Sequence, residues 1–164
     1  MPQPGQETNF NVTDPHETAD AFVTASRALI SLAVRSIDDS PVDITVAQHR
    51  VLVLLAARGD LTIGDIADGL GVNPSNATRY CDRLQRLGLV ARTRSPQDGR
   101  VVHVELTTEG RDVVRDVTER RRAEVEKVLA QMTAVESASV LDALRAFNRA
   151  AGEIEDRNWA SALW

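Results

Sequence analysis

Two capped helices with only two residues between them constrain this chain more than any other feature of its sequence. Thr62, with Asp65 three residues later, reads as a helix start, and Leu61 and Ile66 are placed to form a hydrophobic staple across it. Ile66 and Leu70 should face inward, and Gly71 ends the helix. Two residues on, Asn73 is a cap and Pro74 the first position of a second helix running to Leu87, with Gly88 closing it. Two helices meeting across a tight Gly71-Val72 turn fit the helix-turn-helix plan.

The chain beyond the second helix extends that plan. Leu89 to Arg94 and Val101 to Leu106 read as two strands, with Val102, Val104 and Leu106 alternating against Val101, His103 and Glu105. Between them Ser95-Pro96-Gln97-Asp98-Gly99 is rich in turn formers. A hairpin in that position is a wing. Helices flank the unit on both sides. One runs from the cap Asp14, with Pro15 and Glu17 behind it, to about Ile37, where Asp38-Asp39-Ser40-Pro41 stops it. The next starts at Thr45, with Gln48 as capping partner, and ends at Gly59. Thr107 caps a fifth helix to about Ala130, and Thr133 with Glu136 opens a sixth, expected to reach about Arg157. The apolar stripes of these outer helices need partners, which predicts a homodimer with both ends of the chain in its interface.

The expected fold is therefore mainly α with a small β-hairpin: a winged helix-turn-helix over 44–106. A mobile tail (1–13) and an N-terminal dimerisation helix with its linker (14–43) precede it, and C-terminal dimerisation helices (107–164) complete the chain. The hydrophobic fraction of 43% suffices for a packed core. One cysteine, Cys81, excludes an intrachain disulfide framework. The polar N-terminus resembles no signal peptide and no apolar run is long enough to span a bilayer, so a soluble, cytoplasmic protein is expected.

The formal charge of −5 argues against a polyanion partner only as an average. Between Asn73 and Leu106, six arginines face three acids, a local +3 that leaves −8 for the remainder. Local field decides where a polyanion docks. On the second helix of the pair, Ala77, Cys81, Leu84 and Leu87 recur at helical spacing and should face the core, which turns Ser75, Asn76, Arg79, Asp82, Arg83 and Arg86 outward. An α-helix fits the major groove, and residues near its N-terminus reach deepest. Ser75, Asn76, Thr78 and Arg79 are the candidates for base readout; Arg83 and Arg86 are candidates for phosphate contact. On the wing, Arg94, Asp98 and Arg100 are the candidates, with Asp98 two residues from Arg100 and able to hold it for a narrow minor groove.

The run from Ile44 to Val114 resembles the MarR (multiple antibiotic resistance regulator) family in its LT…DIADGLGV helix, its PSNATRYCDRLQRLGLV segment, its D-x-R wing and its closing LTTEG. The resemblance implies a homodimer formed by the terminal helices, a palindromic operator on double-stranded DNA, and repression relieved by a small ligand or by oxidation. It places Ser75, Asn76, Thr78 and Arg79 in the recognition segment and Asp98 and Arg100 at the wing. Gly99 stands where family members often carry further charge.

Other signals are weaker. His49 sits on a helix expected to line a cavity and is the one candidate for touching an effector. His16, His49 and His103 lack ligand-like spacing, so no metal and no cofactor is expected. Cys81 could sense oxidation, but helical spacing puts it in the core, where a thiol is inert. No nucleophile-base pair or phosphate-binding glycine loop is present in the sequence, so an enzyme is not expected. The rival reading is a winged-helix module that binds a protein, separable by salt-dependent binding to duplex DNA.

Overall fold

The computed structural model describes residues 14–94 and 101–153. The elements run α1 (Pro15–Asp38), α2 (Val46–Arg58), β1 (Leu61–Thr62), α3 (Ile63–Leu70), α4 (Pro74–Arg86), β2 (Val90–Arg94), β3 (Val102–Leu106), α5 (Thr108–Leu129) and α6 (Ala134–Ala151). The chain forms two compact units that divide between Ser31 and Leu32, so α1 begins in the first and ends in the second.

The helix starts arise from their capping residues. Thr45 accepts from the Gln48 N–H while the Gln48 side chain accepts from the Thr45 N–H, and Thr62–Asp65 and Thr133–Glu136 repeat this reciprocal box. Each box satisfies amide groups that the first helical turn leaves without partners. The Asp14 carboxylate accepts from the His16 N–H at 2.9 Å. Helix α3 closes at Gly71, whose φ of 65° is left-handed; its N–H donates to Asp68 and that of Val72 to Ala67. Helix α4 ends the same way at Gly88, with the Leu89 N–H donating to Leu84.

Two expectations need correction. Helix α6 stops at Ala151, not near Arg157: left-handed Gly152 ends it, its N–H donating to Arg149. The hairpin is also not alone. Leu61–Thr62 adds a third strand, giving the antiparallel order β1-β3-β2, with Leu61 opposite Val104 and Val90 opposite Leu106. A two-residue strand carries no periodicity, and only its pairing with β3 identifies it. The expected tail 1–13, the wing tip with Asp98 and Arg100, and Ile154, Trp159 and Trp164 lie outside the described residues.

One core joins the helix-turn-helix to the sheet and to α5. Val51, Leu52, Ile66, Ala77, Leu84, Val104, Val114 and Val117 are all fully buried in it. Leu70 and Leu87, expected to face inward, pack against this core half-buried. Each buried Leu or Val contributes roughly 1.5–3 kcal/mol relative to exposure, and this packing holds the short α3 and α4 in place. Helix α5 is seated on the short connection between α4 and β2. A Cβ on Gly110 would lie 2.1 Å from the Leu89 carbonyl oxygen, so only glycine permits the approach.

Candidate nucleic-acid interface

Helix α4 is the centre of the site. Ala77, Cys81 and Leu84 are wholly buried against α2, α3 and the sheet, and this fixes the rotation of the helix about its axis. The opposite face then carries Ser75, Thr78, Arg79 and Arg86 exposed, with Asn76, Asp82 and Arg83 half-buried between the two faces.

The structure shows what each of these groups already does. The Asn73 side chain caps α4 by accepting from the Asn76 N–H at 2.9 Å, and the Ser75 hydroxyl donates to the same oxygen at 2.8 Å. The Thr78 hydroxyl donates to the Pro74 carbonyl at 2.9 Å. Two of the four base-readout candidates therefore have their hydroxyl hydrogens occupied, and each can offer a ligand only its oxygen lone pairs. Arg79 and Asn76 remain the long polar groups at the head of the helix, with the Arg79 guanidinium 3.5 Å from the Asn76 side-chain oxygen. Asn76 thus steadies the arginine one turn later.

Further along, Arg83 meets Asp43 of the α1–α2 linker at 3.3 Å. Arg86 donates through Nε to the Asp82 carbonyl at 3.3 Å. Arg92 on β2 pairs with the Asp82 carboxylate at 2.6 Å and ties the helix to the sheet. Arg92 and Asp43 were not singled out by sequence reasoning. Arg92 belongs to the basic run, but its partner is set by how β2 crosses α4. Asp43 carries no signal at all, because it lies forty residues from Arg83. Arg94 is exposed at the end of β2, on the strand leading to the wing. An open cleft of about 400 Å³ lies between α4 and the start of α2, lined by Thr45, Gln48, Arg79, Tyr80, Arg83 and Arg86 among others.

Cys81 is 0% exposed, and burial pushes its thiol up to about 11 against the opposing influence of nearby Arg92. A protonated, enclosed thiol is a poor nucleophile. His103 sits 3.2 Å from Asp60. Among the described residues no group of His, Cys, Asp and Glu is arranged to hold a metal, and no helix is long and apolar enough to cross a membrane.

His49 belongs elsewhere. It lines a cavity of about 960 Å³ bounded by α2, α5 and α6, with Arg121, Arg122, Arg145, Leu141 and Leu144 also in its wall. The imidazole is 3% exposed and its Nε2 has no hydrogen-bond partner among the described residues. Burial first, then the Arg121 charge, pushes it down to about 4, so the ring is neutral at pH 7.

Known proteins resemble this chain in sequence and in fold. A sequence model of the MarR family matches residues 42–101. The HTH-type transcriptional regulator YfiV of Bacillus subtilis is 30% identical over 143 residues, covering 87% of this chain and 89% of its own. The multiple antibiotic resistance protein MarR of Salmonella typhimurium is 30% identical over 105 residues, covering 64% of this chain and 73% of its own. Among solved structures, RV1404 from Mycobacterium tuberculosis superposes with a TM-score of 0.81 at 38% identity, over 88% of this chain and 98% of its own. Streptococcus pneumoniae FabT, solved in complex with DNA, gives 0.68 at 26% identity, over 84% of this chain and 97% of its own.

Proposed function

This chain belongs to the MarR family of DNA-binding transcription regulators, and on that premise we propose that it is a homodimeric repressor that binds a palindromic operator and is released by a small-molecule effector. The single observation that carries the DNA contact is the face of α4: Arg79 and Asn76 stand at its exposed N-terminal end, while Ala77, Cys81 and Leu84 anchor its other side. In this reading Asn76 and Arg79 read base edges, with Ser75 and Thr78 accepting hydrogen bonds beside them. Arg83, Arg86 and Arg94 take phosphates, and Asp98 with Arg100 serve at the wing.

The dimer rests on α1, α5 and α6. No residue of α6 is buried, and Val135, Leu141 and Leu144 are 77%, 47% and 39% exposed. A second copy would cover them and set two α4 helices on successive major grooves, about 34 Å apart.

The effector is assigned to the cavity that holds His49. Among the described residues, five arginines (Arg50, Arg58, Arg121, Arg122 and Arg145) share its wall with two acids, Glu126 and Glu153, beside apolar Val53, Leu54, Val125 and Leu129. That lining suits an organic anion with an apolar body. The unpartnered Nε2 of His49 supplies a neutral hydrogen-bonding group at the same wall. Burial of Cys81 supports packing rather than oxidation sensing as the role of that thiol.

The test is a footprint over the DNA flanking the protein's own gene, repeated with organic acids. Protection of two half-sites that is lost on adding one acid supports the whole reading. Binding that persists unchanged with every acid removes the effector, and no salt-dependent binding to any duplex removes the DNA contact.

A further inference from the structure

We propose that Asp43 is a built-in competitor for the DNA phosphate that Arg83 would take, so that this chain limits its own backbone affinity. The inference rests on the DNA-binding role of α4 proposed above.

Asp43 lies in the linker between α1 and α2, with an Oδ2 oxygen 3.3 Å from Arg83 NH2. Its side chain is 97% exposed, and Arg83 is its one hydrogen-bonding partner among the described residues. The backbone on either side of Asp43 is anchored, which keeps its carboxylate near Arg83. Val42 packs against the core on one side and Ile44 is buried on the other, and the residue between them is turned outward. The neighbouring backbone is tied down as well, the Val42 N–H by the Ser40 hydroxyl and the Thr45 N–H by the Gln48 side chain. An anion thus stands beside a cation of the recognition helix while doing little for the fold.

Arg83 stands on the wall of the cleft that also presents Arg79 and Arg86. A phosphate entering there must separate Arg83 from Asp43 or share it, and in either case it meets a second negative charge at short range. Arg79 and Arg86 differ: their partners are the neutral Asn76 side chain and a backbone carbonyl. Asp82 lies on the same wall, but its carboxylate is taken by Arg92. Among the described residues, Arg83 is the cleft arginine opposed by a carboxylate from another part of the chain. Freeing it adds backbone attraction, which is independent of sequence.

The test needs no operator. Binding of the full chain to a random-sequence duplex spanning two major grooves is titrated by fluorescence anisotropy over a range of salt, for wild type, Asp43→Asn, Asp43→Ser, Arg83→Ala and the Asp43→Asn/Arg83→Ala double variant. Asp43→Asn should bind roughly three- to tenfold tighter at low salt, the size of one surface charge interaction. Its log–log salt dependence should be steeper by up to about one unit, because binding no longer recruits a cation to the released carboxylate. Asp43→Ser should behave alike, both should melt within about two degrees of wild type, and the gain should vanish in the Arg83→Ala background. Unchanged affinity overturns the proposal. Weaker binding overturns it in the other direction, making Asp43 a group that orients Arg83. A gain that survives undiminished without Arg83 reduces it to net charge. Wild type that binds no duplex at any salt fails the DNA reading itself and takes this inference with it.

Discussion

Helices α4 and α6 are both amphipathic, and they stand in opposite relations to the rest of their chain. In α4 the apolar residues Ala77, Cys81 and Leu84 are fully covered by the protein's own core, and what remains outside is polar and basic. In α6 nothing is buried: Val135 is 77% exposed, and Leu141 and Leu144 remain part-exposed on the wall of the open cavity that holds His49. A helix whose apolar face is satisfied internally offers a partner its polar face. A helix whose apolar face is left over requires a second apolar surface. The two helices therefore point to different kinds of partner, a polyanion for α4 and another protein surface for α6.

Truncation of the core side of α4 is the strongest test of that contrast. Leu84→Ala should cost about 2–5 kcal/mol of unfolding free energy, read from urea titration, because it opens a cavity among α2, α3 and the sheet. Leu141→Ala should leave the unfolding free energy at high dilution within about 0.5 kcal/mol while weakening self-association in sedimentation. Equal losses for the two would mean that α6 is packed within its own chain after all.

The next effect is in pH. His49 is neutral in the fold, pushed down to about 4, against 6.5 when the chain is unfolded. Its neutral form favours folding above pH 6.5, and that contribution is lost as the pH falls from 6.5 to about 4, because the unfolded chain takes the proton first. Integrated over that window, the linkage is about 3 kcal/mol. His49→Gln should flatten this part of the stability-versus-pH curve; an unchanged slope would assign it to other groups.

On the polar side of α4, Arg79→Ala should cost roughly 1–3 kcal/mol on the cognate operator and relax sequence preference. Arg83→Ala should weaken all duplexes alike, with a slope change below one unit because Asp43 already offsets part of its charge. Loss of specific and non-specific binding in equal proportion by both variants would erase the distinction between them. The smallest effect expected is on stability for Val135→Ser, within about 0.5 kcal/mol, since this side chain is 77% exposed. A larger loss measured on monomer would contradict its exposure.

The elements written in local chemistry were readable from the residues alone. Thr45, Thr62 and Thr133 with their partners three residues on mark helix starts, and Gly71 and Gly88 mark helix ends, because capping depends on atoms within one turn. Period fixed which side of α4 faces inward, and so which residues could meet DNA. Gly152 carries the same signal and ends α6 for the same reason, although the sequence expectation runs the helix opened by Thr133 and Glu136 on to about Arg157.

Only the tertiary structure decided the pairings. Strand β1 exists because Leu61 and Thr62 come to lie beside β3. Asp43 meets Arg83, and Asp82 meets Arg92, because the linker and β2 are carried across α4 by the packing of the core. His49 becomes a neutral ring, its Nε2 without a hydrogen-bond partner among the described residues, because packing buries it and brings Arg121 near. Such contacts join residues far apart in the chain. Their energies depend on distance and burial, neither of which a run of neighbouring residues encodes. The sequence determined which groups could act; three-dimensional packing determined which of them already had partners.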